Sequence, residues 1–154
     1  MGVAKFYHLT RSAAEDMVPL LLARAYGEGM RVVVRGTDPA RMAWLDERLW
    51  LSPDEGFLPH GLMGGPHDGL QPVLLTHGPD LPDGASLMAI DGARVDAAEC
   101  AGRDRVWVLF DGTAPEAVAA ARAQWADLTK AGVAAEYWSE ESGRWQKKTE
   151  SAGA

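Results

Sequence analysis

Apolar side chains recur along this chain in two kinds of block. Short continuous runs, RVVVR at Arg31–Arg35, PVLLT at Pro72–Thr76 and RVWVLFD at Arg105–Asp111, read as strands buried on both faces. Lys5–Leu9, Ser86–Asp91 and Val133–Trp138 complete the strand set. Between the strands the spacing turns helical. Met17, Val18, Leu20, Leu21, Leu22 and Ala25 follow Ser12-Ala-Ala-Glu15, which has capping-box spacing. Pro19 is tolerated only near a helix start or at a kink, so a start close to it is expected, with Gly27-Glu-Gly29 as the stop. Asp38 as cap and Pro39 at the first position open a second helix. There Met42, Leu45 and Leu49 share one face, Trp44 lies away from it and Trp50 on its flank. Thr113-Ala-Pro-Glu116 opens an alanine-rich helix that runs to about Lys130 and closes at Ala131-Gly132.

The order βαβαβ at the start and βαβ at the end predicts an α/β single-domain, three-layer sandwich. Its mainly parallel sheet is flanked by helices, a Rossmann-like topology without a phosphate loop. Residues 1–139 form this domain, and residues 140–154, which carry Trp145, read as a polar, disordered tail. Met63–Gly69 is glycine-heavy and expected to be mobile.

Trp44–Leu62 breaks the usual rule for loops. After the helix it passes through prolines and glycines yet carries Trp50, Phe57, Leu58, Pro59 and Leu62, where turns favour small polar residues. Either this loop folds back onto the core or it lines a recognition groove.

Composition narrows the partners. At 154 residues, 47% hydrophobic and 24% charged, the chain is an ordinary globular length and mixture. No apolar run approaches the roughly 20 residues of a membrane span, and the N-terminus lacks the hydrophobic region of a signal peptide. The net charge of −7 opposes wrapping a phosphate backbone. A single cysteine, Cys100, fits a reducing cytoplasm and reads as a structural thiol.

Catalytic chemistry is hard to find. Neither G-x-G-x-x-G nor G-x-x-x-x-G-K-[ST] occurs, the four histidines are scattered, and no serine sits in a G-x-S-x-G elbow. Asp54-Glu55 and Glu140-Glu141 are adjacent and so do not face each other. No metal or cofactor is implied. A small-molecule or nucleotide-binding α/β enzyme survives only as an alternative motivated by fold class.

Four pieces taken together resemble the chi subunit family of bacterial DNA polymerase III. They are Phe6–Leu9 (FYHL), Leu45–Trp50 (LDERLW), Phe57–Leu62 (FLPHGL) and Ala121–Gly132 (ARAQW…AG), in family order over residues 4–138. Gly56 stands where the family often has Ser. The resemblance implies a noncatalytic clamp-loader subunit, cytoplasmic and associated with the replisome, that does not itself transfer nucleotides. It also implies two partners, a psi-like subunit and the acidic, Phe-ending C-terminal tail of single-stranded DNA-binding protein, with DNA contact mainly indirect. Matched to the family motifs, Arg122, Trp125, Trp50 and Phe57 are the candidate tail-binding residues, supported by Leu62, Lys130 and Arg48. An aromatic residue bearing a free carboxylate needs an apolar slot beside a cation. Arg122, three residues from Trp125 and so adjacent to it, is placed to take that carboxylate bidentately. Trp50 and Phe57 are then expected as one wall of a groove, with Trp125 and Arg122 as the other. Alanines crowd this helix where better-known chi proteins carry lysines. Trp44 is left for a different interface, and His60 for loop organisation.

Overall fold

The continuous apolar runs become the inner strands of one sheet. A computed structural model describes residues 3–51, 59–64, 71–79, 81–82, 84–101 and 103–151. Its strands are β1 (Val3–Leu9), β2 (Val32–Arg35), β3 (His60–Leu62), β4 (Val73–Thr76), β5 (Ser86–Ala89), β6 (Arg105–Asp111), β7 (Ala135–Ser139) and β8 (Gln146–Ser151). They lie in the spatial order β3-β4-β2-β5-β6-β1-β7-β8. Every neighbouring pair up to β7 is parallel, and β8 returns antiparallel to β7.

Strand alternation divides the core into two layers. Tyr7, Leu9, Val32, Val34, Met88 and Leu109 pack under α1 (Ala14–Gly27) and α2 (Pro39–Trp50). Phe6, Val33, Leu74, Leu87, Val108 and Phe110 point the other way, toward α3 (Ala97–Cys100) and α4 (Pro115–Lys130). The mainly parallel, three-layer α/β arrangement expected from the alternation of patterns is therefore present.

Helix starts depart from the sequence reading. Pro19 lies inside α1, which begins at Ala14. Its lost hydrogen bond and ring clash cost about 3 kcal/mol. Burial of Met17, Val18, Leu21 and Leu22 outweighs that, at about 1.5–3 kcal/mol per large apolar side chain. Neither expected Ser/Thr capping box forms: the helices start after Ala13 and Ala114, without a side-chain cap. Ser12 turns its hydroxyl to Glu140 and Thr113 turns its own to Asp111. A capping box does form between Asp96 and Glu99 and opens α3, a helix that the sequence patterns did not predict. Arg35 anchors that short helix. Its buried guanidinium meets both Glu99 carboxylate oxygens, at 2.6 and 2.9 Å, and donates to the Arg94 and Pro79 carbonyls.

The C-terminal segment corrects a second expectation. Gln146–Ser151 is not a disordered tail but the edge strand β8, and Trp145 before it packs edge-on against Tyr7 at 5.1 Å. Its polar composition hid this, because an edge strand exposed on both faces shows no apolar alternation. β3 was likewise hidden inside the Pro/Gly-broken stretch. Of the glycine-heavy Met63–Gly69, expected to be mobile, residues 65–69 lie outside the described residues.

Trp145 thus ties the last strand to the core. Trp145→Ala is expected to lower stability by about 2 kcal/mol, less than a fully buried tryptophan would cost. Urea unfolding checks this, and an unchanged midpoint would show that the indole is not docked.

Candidate functional site

Two regions offer chemistry. The first is a cleft of about 910 Å3 at the carboxyl ends of β1 and β6, reached by Ala14, Asp91, Phe110, Thr113 and Ala117. β1 leads through α1 over one face and β6 leads through α4 over the other. This is the switch point at which sheets of this kind receive ligands. Here the backbone donors are already in use. Glu140 accepts hydrogen bonds from the N–H groups of Thr10 (3.1 Å), Arg11 (3.0 Å) and Ser12 (2.7 Å), and from the Ser12 hydroxyl (2.8 Å). Burial works to raise the Glu140 carboxyl, but these hydrogen bonds outweigh it and hold it below its ordinary range. At the cleft rim Arg41 is paired with Glu15 (3.0 Å) and Asp91 (2.9 Å). A phosphate would have to displace an internal carboxylate to reach the turn.

The second region lies on α4. Trp125 is half-buried, its ring edge-on to Phe6 at 5.3 Å and to Tyr137 at 6.0 Å. Phe110 and His8 extend the aromatic floor, with Phe110–Tyr137 at 6.0 Å and His8–Phe110 at 5.1 Å. Arg122 sits one turn nearer the start of α4, where i and i+3 share a face. It is exposed and makes no hydrogen bond or ion pair among the described residues. Its charge acts on Tyr137: burial raises the phenol above its ordinary value, while Arg122 works in the opposite sense. An unpaired guanidinium beside an aromatic floor suits an aromatic group bearing a carboxylate. Lys130 is exposed on the same helix, about 12 Å farther along the axis.

The other expected residues lie elsewhere. Trp50, half exposed, stacks on the His60 ring at 4.1 Å, and His60 Nε2 lies 3.0 Å from the Asp46 carbonyl. His60 is in register with Val73, so it faces the α1/α2 side, and Leu62 follows on that same side. Arg48 donates to Asp16 at 2.8 Å and lies over Trp44 at 5.4 Å. Phe57 lies outside the described residues. The expected groove between Trp50 and Trp125 is therefore not formed. Their helices cover opposite faces, and β3 is five strand positions from β1, about 24 Å across the sheet. Trp50, Leu51 and Leu62 are themselves exposed, 50%, 78% and 42% accessible.

Sequence reasoning missed Tyr137, His8 and Phe110 as neighbours of Arg122 and Trp125. Each was already on a predicted strand, but only the β6-β1-β7 order brings them under one helix. Cys100 is buried and its thiol is pushed up to about 11, mainly by that burial, which keeps it unreactive.

Comparison with known proteins adds a family. The family model described as DNA polymerase III chi subunit, HolC, matches residues 1–136. DNA polymerase III subunit chi of Escherichia coli (strain K12) is 41% identical over 59 residues, 38% of this chain and 40% of that protein. A probable DNA polymerase III subunit chi of Rickettsia prowazekii (strain Madrid E) is 26% identical over 84 residues, 54% of this chain and 51% of the relative. The chain thus spans about half or less of the length of these curated relatives.

The geometry predicts different costs for different residues. Because the native Glu140 carboxyl is held below 4.5, its stabilisation is complete above that pH and is lost as pH falls through the lowered native value. Glu140→Gln is expected to cost about 1.5–3 kcal/mol at pH 7 and to flatten the acid side of the stability curve. Urea unfolding from pH 7 downward measures both. On α4, Trp125→Ala should destabilise by about 2–3 kcal/mol, whereas Arg122→Ala should stay within about 0.5 kcal/mol. A large loss for Arg122→Ala would show that the arginine holds the fold.

Proposed function

Because this chain belongs to the DNA polymerase III chi subunit family, we propose that it serves as a noncatalytic replication adaptor. On this reading it binds the acidic, Phe-ending tail of single-stranded DNA-binding protein through Arg122 and Trp125. A psi-like subunit docks on another face and carries the chain to the clamp loader, so that contact with DNA is mainly indirect. It works in the cytoplasm, at the replisome, and nucleotide transfer belongs to other subunits.

The observation that carries the tail-binding site is the exposed Arg122, without an ion pair among the described residues, beside the half-buried Trp125. The terminal phenyl ring lies along Trp125, its carboxylate meets the guanidinium bidentately, and Lys130 adds longer-range attraction to the acidic residues upstream. Trp50, Leu51 and Leu62 are too far round the sheet to join this site. Their exposed apolar side chains are offered to the psi-like partner. Two partners can then be held at once on opposite faces. A nucleotide-binding reading has less support, because Glu140 already takes the amides a phosphate would use.

Fluorescence anisotropy with a labelled acidic peptide ending in Phe tests the site. Binding is expected to weaken with added salt and to fall about tenfold or more in Arg122→Ala, a loss of about 1.4 kcal/mol or greater. Amidation of the peptide's terminal carboxylate should mimic that loss. Binding indifferent to Arg122 and to amidation would overturn the assignment.

A further inference from the structure

We propose that the Tyr137 phenol is a second donor to the ligand carboxylate beside Arg122, and that His8 sets the direction of that donor. The inference rests on the tail-binding reading and deepens it. Tyr137 belongs to β7, next to β1 in the sheet, and its hydroxyl lies 2.7 Å from His8 Nδ1. The opposite ring nitrogen, His8 Nε2, lies 3.3 Å from the Gly112 carbonyl. A side chain at residue 112 would collide with the His8 ring, so glycine is what admits that carbonyl.

A carbonyl only accepts, so Nε2 carries a hydrogen and donates to it. In neutral His8 the Nδ1 nitrogen is then a bare acceptor, and the Tyr137 hydroxyl must donate inward to it. The phenol oxygen consequently shows only lone pairs to anything arriving beside Arg122, which repels a carboxylate. When Nδ1 takes up a proton from solvent, imidazolium donates from both nitrogens. Nδ1–H then points at the phenol oxygen, and the Tyr137 hydroxyl is freed to donate outward to the carboxylate. Ligand binding and proton uptake at His8 are thereby linked, one proton per carboxylate.

The surroundings suit such a relay. Burial keeps the Tyr137 phenol protonated, so it remains a donor throughout. The charges acting on it are Arg122 from α4 and Glu141 from the turn after β7. Asp111, next to Gly112 at the end of β6, spends its carboxylate on the Thr113 hydroxyl and amide. His8, Tyr137 and Trp125 are all partly accessible, so a ligand reaches them without opening the core.

The test uses the full chain and an N-terminally labelled acidic peptide ending in Phe with a free carboxylate, titrated by anisotropy at constant ionic strength from pH 5.5 to 8.5. The wild type is expected to bind more tightly as pH falls, by at most tenfold per pH unit for one linked proton. Tyr137→Phe, which keeps the ring, should bind about tenfold more weakly at the acid end and lose the slope. His8→Gln should also lose the slope. The amidated peptide should be indifferent to Tyr137→Phe, an outcome that a merely structural tyrosine would not give. Arg122-dependent binding that is flat with pH, or unaltered by Tyr137→Phe, overturns the relay and leaves the tail site standing. Absent binding, or binding indifferent to Arg122→Ala, overturns the tail site and the relay together.

Discussion

A sheet buried on both faces can send each side chain only up or down, and the rest of this structure depends on that constraint. Residues two apart along a strand share a layer and neighbours do not. Tyr7 and Leu9 therefore join α1 and α2, while Phe6 and His8 sit beneath α4. The two tryptophans that sequence motifs placed in one groove are separated by the same rule. Trp50 caps the outer edge of the α2 layer, and Trp125 lies in the opposite layer over β1 and β7.

β1 is where the two layers are tied together. Its flanking strands β6 and β7 are joined to each other by α4, while its own chain leaves through α1 on the other face. In folds that bind nucleotides, the turn after such a strand presents free amides. Here Glu140, just past the end of β7, takes three of those amides and the Ser12 hydroxyl. The carboxylate fastens the strand that leads into the C-terminal hairpin to the start of α1. One contact thus stabilises the fold and occupies the place where a phosphate would otherwise be received. Among the described residues, Arg122 and Lys130 are exposed on the outer surface of α4, and Trp50 and Leu62 are exposed on the opposite side of the sheet.

Much of the fold was legible because buried strands and amphipathic helices leave periodic patterns. Val32–Arg35, Val73–Thr76 and Arg105–Asp111 were continuous apolar runs, and Asp38-Pro39 announced α2 with a cap that accepts from the Ala40 amide at 3.0 Å. The capping boxes at Ser12 and Thr113 misled because both hydroxyls had stronger long-range or turn partners. β8 was illegible for the opposite reason: a polar ladder held by backbone pairing and by Trp145 has no hydrophobic period to read.

By itself the sequence determined which segments become strands and helices, the covering of both sheet faces, and the adjacency of Arg122 to Trp125. These follow from periods of two and 3.6 residues, which are local properties of the chain. Only the tertiary structure decided that Trp50 and Trp125 belong to different surfaces, that Glu140 fills the turn after β1, and that His8, Tyr137 and Arg122 stand together. Those facts depend on strand order and on which face each crossover takes, and no local pattern of side chains encodes either.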